Sequence, residues 1–543
     1  MTETAKRRDA MDLIRLAWQS LGRQQPEPAV AACQELHHRF PENAEGWHVA
    51  SHAAQAIRKL GKAVEFIDRA LELDASNPVY RAQKASLLRL TGKLHEAVEL
   101  ARSLVGVEIP SASANNILGA TLSHFDLHEE ALAAFDAAIA LNGEQPHYHF
   151  NRAAELRFLG RSDEAEEACN RVLALDPRNY ECYLLRADLR KQTAERNHVA
   201  ELQAVLNAGN VDWRSEAQLR FALAKEFEDL GDYERSFTER SRGAQLRRSN
   251  MQYDVREDIA IIDKIIAAFR PEHFRDAAPG FETDEPIFIL GLPRTGTTLL
   301  ERILDGHSDV ASAGELNNFA TEMMRLVHRQ LGERAPANRE ELIDATVSME
   351  FRELGKAYID STRPMTGQVP RFIDKLPLNY LYTGLIHRAL PNARIIHMRR
   401  HPVAACYAVF KQPFRDAYPF SYALDDLAHY YLAYDRLMSH WRDCIPKDAM
   451  AEIWYEDLVV DTETEARRMI EFCGLEWQPA CLEFHRRRAA STTASATQVR
   501  QPVYTTSLDM WRNYEQQLAP LIRILENGGI DIESTRPATG DAL

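Results

Sequence analysis

Small residues recur through the first half of the chain in a fixed rhythm. Positions 29, 63, 97, 131 and 165 are all Ala, 34 residues apart. Positions 17, 51, 85, 119, 153 and 187 read Ala, Ser, Ala, Gly, Ala, Ala at the same interval, and Ala70, Ala138 and Val172 mark a third register. A small residue at a fixed place is where one helix must approach another closely, so the period predicts stacked helix pairs. Turn residues fall between them: Gly92, Gly160, Gly231 and the Asp176-Pro177 step. Two stretches break the rhythm, 56–63 with a short turn and 190–215 drawn out. Residues 254–269 hold a further helical apolar pattern, and 270–286, with three prolines and Gly280, predict a linker.

The pattern then changes. PIFIL at 286–290 is a short apolar run bounded by Pro and Gly, which predicts a buried strand. It leads into GLPRTGTT at 291–298 and a helical TLLERIL. Further strands are expected before Lys375, over 393–398 and around 453, and Pro402 suits the first turn of a helix. The expected organisation is an all-α repeat array over 11–250, a helix and linker over 251–284, and an α/β domain over 285–543.

Composition narrows the classes. Hydrophobic residues make up 45% and charged residues 27% of 543, the balance of a folded globular chain. A formal net charge of −15 lacks the basic excess of a nucleic-acid binder. No apolar run approaches the roughly 20 residues of a membrane helix, and the basic N-terminus has no apolar stretch behind it, so a secretory signal is not expected. Seven cysteines, at 33, 169, 182, 406, 444, 473 and 481, include no CxxC pair. They argue against a disulfide framework or a zinc site and suit a reducing cytoplasm.

The candidate chemistry starts at the strand–loop–helix of 286–304. Backbone N–H groups of such a loop, with the positive end of the helix behind it, bind anions. Gly291 and Gly296, with Thr297 and Thr298 following, keep the spacing of an NTPase phosphate loop. Thr297 stands where an NTPase needs Lys on the β- and γ-phosphates. The loop therefore predicts an anion site without a metal-bound triphosphate.

The period and turns of the first half resemble the tetratricopeptide repeat, over about 11–245. Such arrays present concave surfaces to peptides or partner proteins. From about 285 onward the chain resembles the sulfotransferases, in particular the tyrosylprotein sulfotransferase branch and its bacterial relatives fused to tetratricopeptide repeats. Pro293, Arg294, Thr295, Gly296, Thr297 and Thr298 match that family's P-R-[ST]-G-T-T loop for the 5′-phosphosulfate. The resemblance implies a P-loop-like parallel-sheet domain and 3′-phosphoadenosine 5′-phosphosulfate as donor, with no metal.

Other roles follow from the same resemblance. The general base falls on Glu315; without the resemblance, an acid here also reads as the start of a helix. Lys375, in Asp374-Lys375-Leu376-Pro377, would meet the transferred group and the bridging oxygen; a solvated Lys is the plain alternative. Arg400 would hold the 3′-phosphate with Arg399 as an ion-pair neighbour, and Ala408 stands where the family has a second ligand, Ser. Tyr455 would lie near the adenosine or simply pack the strand. Ser495 and Arg500 belong to a loop closing over the donor, and Met510 replaces a family Lys. His307 reads as a turn residue. The implied activity is sulfuryl transfer to a tyrosine of a protein or peptide presented by the repeats. The alternatives are a carbohydrate or small-molecule hydroxyl, a scaffold with a degenerate donor site, and a nucleotide kinase or NTPase.

Overall fold

The computed structural model describes residues 3–209, 211–275, 279–414, 417–486, 505 and 507–533. The chain divides into two compact units, Met1–Cys182 and Tyr183–Leu543.

The first unit is helical. Among its described residues, helices run in consecutive pairs from Glu3–Gly22 with Pro26–Arg39 to Pro146–Phe158 with Ser162–Leu175. Pro26, Pro78 and Pro146 open helices at the first turn, where the missing N–H costs nothing. Ala29, Ala63, Ala97, Ala131 and Ala165 are all buried, as the 34-residue rhythm requires. Ser51 fills a small slot of the second register and donates its hydroxyl to the Ala63 carbonyl at 2.8 Å. The turn inside each pair has its own 34-residue rhythm: Gln24, Arg58, Gly92, Asp126 and Gly160 all have positive φ, between 57° and 80°. Three of these five carry a side chain in a left-handed conformation that costs roughly 1–2 kcal/mol without glycine, so helix pairing holds the turn even where its residue is unfavourable. The expected stretching of 190–215 is also present: Tyr180–Asp188 and Val199–Asn207 are short helices separated by an irregular segment.

Among its described residues the second unit holds five parallel strands: β1 (Pro286–Leu290), β2 (Val310–Ser312), β3 (Arg371–Asp374), β4 (Arg394–Arg399) and β5 (Met450–Trp454), in the order β2-β3-β1-β4-β5. Ile287 of β1 pairs with Ile373 of β3 and with Arg394 of β4. Every residue of β1 is buried, as expected for a strand covered on both faces. Its side chains alternate between two cores. Ile287 and Ile289 pack with Leu300, Ile303 and Ile453, whereas Phe288 and Leu290 pack with Phe319, Phe372 and Ile395. The second core also includes Phe221 and Ala244, from the helices Trp213–Asp229 and Tyr233–Ser249. This helix pair follows the repeat period in sequence and lies within the sheet-bearing unit. All seven cysteines are buried. No helix among the described residues is long and apolar enough to cross a membrane.

The topology fixes where a ligand can sit. The chain leaves β1 toward β2 and β3 on one side, while β4 leads to β5 on the other. Adjacent strands β1 and β4 thus send their connections apart, which opens a crevice at their carboxyl ends.

Candidate functional site

The loop after β1 enters that crevice under tight backbone constraints. Gly291 has φ 147°, and a Cβ there would lie 2.5 Å from the Met398 carbonyl of β4. Gly296 has φ 104°, and a Cβ there would meet the Tyr455 ring at 2.4 Å. Arg294 adopts φ 68° between them. Thr295 closes the loop by donating its hydroxyl to the Leu292 carbonyl at 2.7 Å. The helix Thr297–Leu304 begins at Gly296 with no side-chain cap and no acid in its first turn. Its positive end therefore has no carboxylate of its own in that turn, which favours an external anion. Thr297 and Thr298 are buried in that turn.

β4 and β5 supply the other wall. Arg400 donates from Nη1 to the Arg294 carbonyl and from Nη2 to the Ser507 carbonyl, both at 2.9 Å. Its guanidinium lies 4.6 Å from the centroid of the Tyr455 ring, a cation–π distance. The Tyr455 hydroxyl is 2.9 Å from Ser507 Oγ. Arg400 Nε is buried and has no hydrogen-bond partner among the described residues. The next residue, His401, caps the helix Pro402–Phe410, donates its backbone N–H to Glu456 Oε1 at 2.9 Å, and stacks on Trp511. Burial raises the Glu456 carboxyl above its ordinary range. Arg399 pairs with Glu452 at 3.2 Å, as expected of an ion-pair neighbour. Ala408 is buried and offers no hydroxyl.

The ends of β2 and β3 carry a second cluster. Lys375 is only 1% exposed and binds Glu315, whose side chain is 49% exposed. Glu315 lies ahead of the helix Asn318–Gln330 and outside its first turn. The Lys375 backbone N–H donates to the Gly314 carbonyl at 2.9 Å, joining the two strand ends. On the other side of the amine, Glu301 Oε2 stands 3.9 Å from Lys375 Nζ, while Glu301 Oε1 accepts from the Ser312 hydroxyl at 2.6 Å. Burial raises the Glu301 carboxyl, and Lys375 partly offsets it. Thr297 and Glu301 are one helical turn apart, so this helix touches both clusters. Asp374 is fully buried, and burial pushes its carboxyl up to about 7 against the Tyr358 hydroxyl at 2.8 Å and the Leu316 N–H.

The structure thus gathers Pro293, Arg294, Thr295, Gly296, Thr297, Thr298, Arg400 and Tyr455 around one crevice, with Glu315 and Lys375 paired at the neighbouring strand ends. Lys375 is not a solvated side chain. Ser495 and Arg500 lie outside the described residues. His307 is a turn residue: Nε2 is 2.8 Å from the Glu476 carbonyl and Nδ1 accepts from the Asp309 N–H. Sequence reasoning missed Glu301, Ser507 and Glu456. Only Glu301 left a trace, a lone acid within the apolar TLLERIL helix.

Residues 286–479 match the family model described as the sulfotransferase family, and 146–179 match a tetratricopeptide repeat. An uncharacterized protein of Aquifex aeolicus (strain VF5) is 31% identical over 410 residues, covering 74% of this chain; the chain spans about half of that relative, 52% of its length. Protein-tyrosine sulfotransferase 2 of Gallus gallus is 22% identical over 310 residues, 54% of this chain and 80% of that protein. Among solved structures, the sulfotransferase domain from the Synechococcus PCC 7002 olefin synthase is 21% identical, covers 48% of this chain and 98% of its own, and has a TM-score of 0.33.

Proposed function

We propose that this tetratricopeptide-repeat chain, whose residues 286–479 match the sulfotransferase family, moves a sulfuryl group from 3′-phosphoadenosine 5′-phosphosulfate to a hydroxyl, that of a tyrosine in a protein or peptide. The observation that carries this reading is the buried Lys375 paired with the half-exposed Glu315 beside an uncapped anion loop. A kinase would share the loop but would need the lysine that Thr297 replaces.

In this reading the acceptor oxygen bonds to sulfur as the bond from sulfur to the bridging phosphate oxygen breaks. The hydroxyl proton passes to Glu315. Arg294, Lys375 and the amides of 293–298 hold the charge that grows on the leaving phosphate. Arg400 takes the 3′-phosphate and Tyr455 the adenosine, with Ser495 and Arg500 closing from the C-terminal side. The tyrosine acceptor is brought over from the relatives named protein-tyrosine sulfotransferase, and the repeats would hold its peptide. Seven cysteines without a CxxC pair suit a reducing cytoplasm, where this reading places the reaction.

Thermal melting with adenosine 3′,5′-bisphosphate against ATP–Mg²⁺ tests it. Bisphosphate at about 100 times its dissociation constant should add about 2.7 kcal/mol of stability. Stabilisation by ATP–Mg²⁺ alone would replace this reading with a nucleotide kinase or NTPase.

A further inference from the structure

Glu228, its side chain 10% exposed, is a carboxylate near the end of the helix Trp213–Asp229, in a stretch whose sequence reads as repeat. Four donors from three elements converge on it. The Tyr407 hydroxyl donates at 2.5 Å, the Tyr514 hydroxyl at 2.9 Å, Lys411 Nζ at 3.0 Å and Arg240 Nη1 at 3.3 Å. Arg240 is itself fully buried and also donates to the Tyr407 hydroxyl at 2.7 Å. The two tyrosine rings pack together, with centroids 4.6 Å apart. Burial alone would raise the Glu228 carboxyl; Lys411, Arg240 and the Tyr407 hydroxyl outweigh it, and the group sits well below the usual carboxylate range. A carboxylate taken out of water persists only when it is paired and hydrogen-bonded in this way.

The elements it joins give this hub its meaning. Tyr407 and Lys411 lie on the helix Pro402–Phe410 and at its C-cap, and this helix starts two residues after Arg400. Tyr514 ends the turn Met510–Tyr514, which follows Ser507, the residue whose carbonyl receives Arg400 Nη2. Arg400 and Tyr407 are seven residues apart, and so are Ser507 and Tyr514. The helix that follows Arg400 in the chain and the segment that runs from Ser507, which accepts from its guanidinium, therefore both lead back to one carboxylate. The sheet-side contact of Arg400, to the Arg294 carbonyl, is independent of it.

We propose that Glu228 is a positioning residue for the donor's 3′-phosphate: by fixing Tyr407, Lys411 and Tyr514 together it sets where Arg400 points, so that a helix of repeat character tunes nucleotide selectivity. The inference rests on the reading of Arg400 given above. Glu228 touches no part of the donor and acts only through Arg400.

The test compares two nucleotides that differ at the 3′ position, on the full chain. Isothermal titration gives dissociation constants for adenosine 3′,5′-bisphosphate and adenosine 5′-phosphate with the wild type, Glu228→Gln and Tyr407→Phe. Glu228→Gln should weaken the bisphosphate about tenfold, the scale of one lost charge-assisted hydrogen bond, while the monophosphate stays within about twofold. Tyr407→Phe, which removes one oxygen and keeps the ring, should move the same ratio in the same direction by less, and it decides the matter if Glu228→Gln does not fold. Equal weakening of both nucleotides, or no change in either, would mean the hub is merely structural and overturn the inference. A wild type that binds the bisphosphate no better than the monophosphate would overturn the assignment of Arg400. A wild type that binds neither would overturn the sulfotransferase reading and this inference with it.

Discussion

The helical unit Met1–Cys182 and the carboxyl edge of the sheet solve opposite problems. In the helical unit one packing solution is used every 34 residues, with Ala29, Ala63, Ala97, Ala131 and Ala165 in equivalent buried places. At the sheet edge nothing is used twice. β1 delivers the anion loop, β2 leads to Glu315, β3 to Lys375, β4 to Arg400 and β5 to Tyr455. Stability in a repeat array is a sum of neighbour terms, so damage stays local and graded. A site assembled from five strand ends has no spare copy of any part, so one substitution removes a function.

The sharpest break should come at Glu315. Glu315→Gln should lower turnover roughly 10²–10⁴-fold if it accepts the acceptor's proton. Donor affinity, followed by titration, should stay near that of the wild type. Near-normal turnover would remove Glu315 from the chemistry and return it to a structural place ahead of the next helix.

Arg400→Ala should come next. Loss of a charge-assisted contact to phosphate is worth about 1.5–3 kcal/mol, or roughly 10- to 150-fold in the dissociation constant of adenosine 3′,5′-bisphosphate. Unchanged affinity would show that another cation holds the 3′-phosphate.

The array should respond in the other currency. A Cβ at Gly119 would lie 2.7 Å from the buried Phe135 ring, so Gly119→Val should cost about 1–3 kcal/mol of unfolding free energy by overpacking. Urea denaturation reads that loss, and donor affinity should not move. A parallel loss of donor binding would erase the contrast between the two regions.

Asp374 gives a smaller effect with a defined sign. Its folded-state pKa is pushed up to about 7 by burial, above the ordinary carboxylate value. The folded protein therefore holds this proton more tightly than the unfolded chain, and the stability it contributes is lost as pH rises through about 7. Asp374→Asn should remove that part of the slope: measured by urea midpoint, the variant should gain on the wild type between pH 5 and pH 8. A constant difference across that range would mean that Asp374 does not titrate there. The smallest effect is expected from Ala408→Ser, which should leave bisphosphate affinity equal or slightly tighter; a clear loss would misplace the 3′-phosphate.

What the sequence made legible tracks how local each cause is. The anion loop is contiguous, and Gly291 and Gly296 are glycines because β4 and Tyr455 approach the backbone there. The left-handed turns at Gly92 and Gly160 were visible because glycine adopts positive φ freely, but the equivalent turns at Gln24, Arg58 and Asp126 were not, because helix pairing imposes them on residues that do not favour them. Lys375 could be read as solvated because its partners, Glu315 beyond β2 and Glu301 of the helix Thr297–Leu304, come from elsewhere in the chain. The largest shortfall is Glu228, whose hydroxyl partners lie 179 and 286 residues away. Helical periodicity reports that Trp213–Asp229 has a face to bury and is silent on what buries it, so the repeat period carried this helix into the array while its packing joins it to the sheet core.

The contact between Gly296 and Tyr455 has a consequence for how such a loop can change over generations. With the ring 2.4 Å from where a methyl would stand and the backbone at φ 104°, residue 296 cannot enlarge by itself: any lineage that enlarges it must first shrink residue 455, which gives up the face on which Arg400 rests, and must then still hold a side chain in a left-handed backbone. Two mutational steps with a handicapped intermediate separate this loop from its neighbours in sequence space. The glycine is thereby locked in by a side chain encoded 159 codons downstream, and a laboratory library would have to randomise both positions together to escape it.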